Sequence, residues 1–276
     1  MLGHIKTVRE KLAKRRYRYP VVAASGVLAL GIVFFVTCVP SVAAQSAAHR
    51  LPVLAAPTQG QKILVFSPHP DDETIAVGGY IAQATKNGAD VRIVLVTDGN
   101  KFHKEAIRYT EFKTATGILG VKQTDLVFLG FPDGKLASED KTLLDSSLQG
   151  QIDVYRPDTI IYPNPRDTNS DHAALGRAVG AVIDSEHLNV QEYTYVVHYR
   201  LVYPRPRKFA PNLYLLPPAR LAKFDKQWLK FPLSQDIENT KEQALLTYGS
   251  QFKSPELNGL MHSFIRQNEV LAVPRS

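Results

Sequence analysis

An α/β fold with a doubly wound, mostly parallel sheet is what the sequence predicts for residues 61–276, on two observations. Short apolar runs rich in Val, Ile and Leu alternate with stretches of helical spacing, and Gly, Asn or Pro marks the junctions. Runs that stay apolar along their length suit strands buried on both faces, and right-handed crossovers then wind the sheet in both directions. In order, strands are expected at 62–67, 91–97, 125–129, 159–162 and 193–199, with helices at 72–87, 104–119, 142–155 and 171–185 and a late one at 237–248. Asn87-Gly88 and Gly120 supply helix stops. The Pro-rich stretch 203–235 takes no assignment.

The charge is unevenly placed. The formal net charge is +7, yet residues 1–20 alone carry +6, from seven basic residues against Glu10. The body is near neutral and gives no bulk electrostatic reason to bind nucleic acid. After the basic tail, residues 21–39 carry no charge and are long enough to cross a hydrocarbon core. The basic flank lies on one side only, so the positive-inside rule places residues 1–20 in the cytoplasm and the body outside. The expected organisation is a basic tail (1–20), a transmembrane signal anchor (21–43), a linker rich in Ala, Ser, Gln and Pro (44–60), and a catalytic domain (61–276). The competing reading of the leader is a signal peptide cut near Ser41-Val42-Ala43. Cys38 is the single cysteine, so neither an intrachain disulfide nor a Cys-rich metal site is open to this chain.

Ligands of open parallel sheets bind beyond the C-terminal strand ends. The loops there, 68–72, 98–100, 130–134 and 164–172, hold nearly all the chemically notable polar residues. His69 and Asp72 stand three apart across a strand-to-helix junction, which brings them onto one side. Pro68 and Pro70 restrict the loop between them. Imidazole plus carboxylate suits zinc or another divalent metal, and His172, on the same rim, is the best candidate for a third ligand. Each block alone also fits an ordinary helix start with an incidental histidine.

The chain resembles the PIG-L/LmbE-type zinc-dependent N-acetylglucosaminyl deacetylases. The matching blocks are Pro68-His69-Pro70-Asp71-Asp72-Glu73, Thr97-Asp98-Gly99, Arg108-x-x-Glu111, Leu119-Gly120-Val121, Leu129-Gly130-Phe131-Pro132-Asp133-Gly134, Asp171-His172, and Lys241-x-x-Ala244 with Tyr248-x-Ser250-Gln251. The resemblance implies a Rossmann-like fold, zinc on His69, Asp72 and His172, and Asp71 as general base in hydrolysis of an N-acetyl amide. Where the family commonly has a histidine two residues before Asp171, this chain has Asn169. Asn169 can donate a hydrogen bond to an oxyanion but cannot shuttle a proton. His198 is a candidate substitute, with a buried structural histidine as the competing reading. Asp98, Arg108 and Asp133 are candidates for binding sugar hydroxyls, against an Arg108–Glu111 surface ion pair.

The implied substrate is an amino sugar in an envelope glycan or glycolipid, met by a site anchored to the membrane through the N-terminal helix. Two rival readings are an amidase on another sugar-linked amide and an exported glycan-binding module without catalysis. A nucleotide-binding reading is disfavoured, because no G-x-G-x-x-G follows the first strand.

Overall fold

The computed structural model describes residues 42–200 and 203–275. The basic tail and nearly all of the expected anchor therefore lie outside the described residues. Among the described residues, no helix is long and apolar enough to cross a membrane.

Seven strands form one sheet in the order β3-β2-β1-β4-β5-β7-β6. They are β1 (Lys62–Ser67), β2 (Asp90–Thr97), β3 (Leu126–Phe131), β4 (Thr159–Pro163), β5 (Gln191–Tyr195), β6 (Gln227–Pro232) and β7 (Asn268–Val273). β1 to β5 pair in parallel, whereas β7 runs antiparallel to both β5 and β6. The helices are α1 (Val42–Ala48), α2 (Asp72–Lys86), α3 (Glu105–Ile118), α4 (Lys141–Tyr155), α5 (Ser170–Ser185), α6 (Gln235–Leu246), α7 (Gly249–Phe252) and α8 (Pro255–His262). The doubly wound expectation holds for β1–β5. The antiparallel β6–β7 pair is an addition, with β6 lying inside the Pro-rich stretch that sequence left unassigned.

Alternate residues of β1 feed two cores. Ile63 and Val65 pack into one cluster with α2, α3 and α6, while Leu64 and Phe66 pack into another with α4 and α5. This coverage of both faces is why the strand reads as a continuous apolar run. The chain reverses direction across the sheet between β1 and β4. That is the switch point at which open α/β sheets hold ligands.

Two local devices shape that crevice. α2 is kinked at Val77 (φ −137°, ψ 18°), and the N–H groups of Gly79 and Tyr80 donate to the buried Glu269 carboxylate of β7 at 2.7 and 2.8 Å. Lys241 Nζ of α6 neutralises this carboxylate at 2.7 Å. The second device is Gly176 of α5, where a Cβ would lie 2.3 Å from Pro163 O and 2.8 Å from Pro165 N. The glycine lets α5 lie against the exit of β4. Gly176→Ala is expected to destabilise the fold by on the order of 3 kcal/mol, because rigid backbone must move. An unchanged denaturation midpoint would show that α5 can drift from β4 at no cost.

The stretch 44–60, read from composition as a linker, is packed on the body. Ala48 and Leu54 are buried, Lys230 Nζ donates to Ala48 O and His49 O, and Leu54 N donates to Lys230 O at 2.8 Å. Small apolar residues between polar ones suffice for this when a buried lysine needs carbonyl partners.

Candidate metal centre

The loop after β1 turns sharply. Asp71 has φ 136°, a region costly for a non-glycine residue and one that persists only where surrounding contacts enforce it. Arg108 of α3 is the main restraint. It donates to Pro70 O at 2.8 Å, to Asp71 Oδ2 at 3.2 Å, to Gly99 O at 3.2 Å and to Asp133 Oδ2 at 3.3 Å. From below, Glu73 accepts from Asp71 N (3.3 Å), Ser67 Oγ (3.1 Å), Thr74 Oγ1 (2.6 Å) and the Tyr248 hydroxyl (2.5 Å).

This turn delivers His69 and Asp72 to the base of α2, while β4 and the start of α5 deliver His172. Asp72 Oδ2 lies 3.0 Å from His69 Nδ1 and 3.0 Å from His172 Nε2. The ligand atoms of the three residues fall within 4.8 Å of one another, and all three residues are buried. Both ring nitrogens of His172 are buried, and neither makes a well-aligned hydrogen bond among the described residues. Converging donors of this kind, two imidazoles and one carboxylate, fit a divalent metal.

Each histidine also has a carboxylate behind it. His69 Nε2 is 3.0 Å from Asp171 and 3.4 Å from Asp133, and His172 Nδ1 is 3.4 Å from Asp167. Carboxylates in that position fix the tautomer and orientation of metal-binding imidazoles. They are themselves tied down: Asp171 accepts from Gly134 N and Leu136 N, and Asp167 from Asn169 N, Val197 N and His198 N. His69, Asp133 and Asp171 form a second group within the same 4.8 Å limit, so His69 stands between two clusters.

The electrostatics follow from burial against these contacts. Burial pushes the Asp71 carboxyl up to about 8, against the pull of Arg108. Burial also raises Asp72, but His172 and His69 outweigh it and hold the carboxyl well below its usual range. Burial lowers His172, yet Asp72 and Asp167 bring it to about 9. Ligation needs neutral imidazoles, so metal binding would release protons from these histidines. His198 is different. Burial, then the neighbouring His172 charge, lowers it to about 4.

The structure places the other sequence candidates unequally. His69, Asp71, Asp72, Arg108, Asp133, Asn169 and His198 line one cavity of about 200 Å³. Arg108 and Glu111 do not pair: Glu111 instead accepts from Ser250 N and Oγ. Most of the Arg108 guanidinium is engaged by the protein itself. Asp98 does not line the cavity, and its Oδ1 accepts from Asn100 N and Asp133 N. Asn169 caps α5, its Oδ1 accepting from Asp171 N and His172 N. His198 does not end a strand, since β5 stops at Tyr195. It sits in the following loop with its ring edge-on to His172, centroids 5.0 Å apart. Sequence reasoning gave no role to Asp167, Asp171, Lys101, Phe102 or Gln251. Asp171 and Gln251 stood in the matching blocks without a role, and an acid next to His172 also reads as ordinary first-turn helix chemistry.

Fold and site together define a Rossmann-like α/β protein with a candidate divalent-metal centre at its switch point. Residues 64–183 match the family model PIG-L, GlcNAc-PI de-N-acetylase. The probable N-acetyl-alpha-D-glucosaminyl L-malate deacetylase 2 of Bacillus cereus is 36% identical over 131 residues, 42% of this chain and 58% of that protein. The diacetylchitobiose deacetylase of Thermococcus kodakarensis is 31% identical over 114 residues, 38% of this chain and 41% of that protein. Among solved structures, N,N'-diacetylchitobiose deacetylase from Pyrococcus horikoshii shares the fold, with a TM-score of 0.54 at 19% identity over 78% of this chain and 84% of that one. Over residues 64–183 the chain is similar to the PIG-L/LmbE deacetylases. Its matches span about half the length of these curated relatives.

Proposed function

We propose that the protein is a zinc-dependent hydrolase that removes the N-acetyl group from an N-acetylglucosamine-type amino sugar in an envelope glycan or glycolipid. The carrying observation is the triad His69, Asp72 and His172, with a separately held carboxylate, Asp71, lining one cavity with His69 and Asp72. Similarity to N-acetyl-sugar deacetylases supports the reaction type. Zinc held by the triad would supply Lewis acidity toward the amide carbonyl and the attacking water.

The remaining roles fall to the chain. With a divalent cation held by the triad, whose charge would favour the ionised carboxyl against the value near 8 set by burial, Asp71 takes the proton from water as the water oxygen attacks the acetyl carbon, then returns it to the departing nitrogen when the C–N bond breaks. Acetate and a free amine result. Arg108 holds Asp71 in place and is thus a positioning residue. Asn169 Oδ1 is engaged at the helix cap, so its Nδ2 is the group it offers to the developing oxyanion, together with the His198 imidazole. Asp133 faces the sugar hydroxyls, and Asp98 braces Asp133 from behind. The basic tail and uncharged run before residue 40 support a membrane-anchored protein with this domain outside the cytoplasm.

The test is acetate release by the full chain from defined N-acetylglucosamine glycosides. A chelator should reduce turnover to background, and added zinc should restore it. Sugar affinity without acetate would favour a glycan-binding module, and release of a different acid would favour an amidase on another sugar-linked amide.

A further inference from the structure

Two of the matching blocks, Arg108-x-x-Glu111 and Tyr248-x-Ser250-Gln251, meet beside the metal centre. Arg108 and Glu111 stand three apart on α3, on one side of the helix. Arg108 holds Asp71. Glu111 holds α7: its Oε1 accepts from Ser250 N at 2.7 Å and its Oε2 from Ser250 Oγ at 2.6 Å. Tyr248, just before α7, is buried and donates its hydroxyl to Glu73 beneath the metal loop. α7 is thus pinned from two directions.

The consequence falls on Gln251, which lines the metal cavity and is 9% exposed. Its Nε2 donates to Ser250 Oγ at 2.8 Å. The direction of that bond is forced. A serine hydroxyl has one proton, and that of Ser250 goes to Glu111, because a carboxylate only accepts. Ser250 Oγ must then accept from Gln251, and a flipped amide would set two acceptors against each other. The amide nitrogen is turned inward. Oε1 is left as a fixed acceptor, with no donor among the described residues and not sealed from the cavity. Such an atom calls for a donor on the ligand. Asp133 already offers an acceptor to sugar hydroxyls, whereas the donor peculiar to an acetamido group is its N–H.

We propose that Gln251 Oε1 accepts the N–H of the substrate's acetamido group and so distinguishes an amide from the corresponding ester, with Glu111 and Ser250 as positioning residues that fix its orientation. The inference rests on the deacetylase reading. In a trans secondary amide the N–H and the carbonyl point to opposite sides of one plane. An acceptor on the N–H, with Asn169 Nδ2 and His198 on the carbonyl oxygen, holds that plane in place for attack. The nitrogen lone pair stays free for the proton that Asp71 returns.

The test uses the zinc-loaded full chain and three probes: methyl N-acetylglucosaminide, its 3-deoxy analogue, and the glucoside carrying a 2-O-acetyl ester, which lacks the N–H. Acetate release gives kcat/KM, and a probe that is not hydrolysed is read through its inhibition constant. Gln251→Leu should lower kcat/KM about tenfold for both N-acetyl glycosides, the scale of one unmade hydrogen bond, and leave the ester as in the wild type. Ser250→Ala frees the amide to flip and should cost the N-acetyl glycosides about threefold, again sparing the ester, while Ser250→Thr keeps the hydroxyl and should restore them. Thermal melting shows whether each variant folds, and Ser250→Ala carries the test if Gln251→Leu does not.

Equal losses on all three probes overturn the inference, because a packing role is blind to the N–H. A loss confined to the glycoside that keeps its 3-hydroxyl overturns it too, since Oε1 would then serve that hydroxyl, and so does no loss at all. A wild type that releases acetate from none of the probes overturns the deacetylase reading itself, and the inference falls with it.

Discussion

Asp71→Asn should leave one metal ion per chain and lower acetate release about a thousandfold, within the usual range for losing a general base. The amide keeps the size of the side chain, and its Oδ1 can still accept from Arg108, which contacts Asp71 Oδ2 at 3.2 Å in the native protein. Asparagine also tolerates positive φ better than most residues, so the turn at φ 136° is retained. What is lost is the ability to take a proton. The deficit should therefore fall on kcat, with KM little altered. Metal analysis alongside single-turnover kinetics checks both halves. A variant that keeps a tenth or more of native turnover, on the tenfold scale of about 1.4 kcal/mol, would assign the base to another group.

Asp72→Asn should act on the metal itself. Its Oδ2 is the point where His69 and His172 converge, 3.0 Å from each. Replacing even an outer partner of a metal ligand costs about 10–100-fold in affinity, so losing the anionic ligand should cost more and empty the centre on dialysis. The metal-free protein should also lose about 3–5 kcal/mol, because the two buried imidazoles are left without their shared carboxylate. Metal content by atomic emission and denaturation of the stripped protein read the two effects separately. Stoichiometric metal in this variant would point instead to the His69, Asp133 and Asp171 group, which shares one ligand with the triad.

Much of this was legible in the sequence, and the remainder fails for identifiable reasons. The parallel strands announce themselves because burial on both faces forces runs such as Ile63–Phe66, and the rim they create gathers the ligands. β6 and β7 were not legible. Each carries a buried charge, Lys230 and Glu269, whose partners are the carbonyls of Ala48 and His49 and the N–H groups of a kinked helix. Pattern reading scores such residues as surface. The cluster His69, Asp72 and His172 could be picked out by spacing and position, but Asp167 could not, because an acid braced on loop N–H groups looks like any turn residue. Arg108 was noticed and assigned to sugar. Its actual partners, Pro70, Asp71, Gly99 and Asp133, are separated from it in sequence and are brought together only by the fold.

The Glu269 clasp on the bend of α2 has a consequence for how the protein is made. A ribosome that has delivered the chain as far as His172 has delivered all three residues of the triad. The carboxylate that holds the bend of α2 belongs to the last strand and emerges much later, as does the lysine that neutralises it. The nascent domain therefore passes through a stage with its triad residues present and their scaffold unfinished. The clasp on that bend closes only when the final strand slots into the sheet.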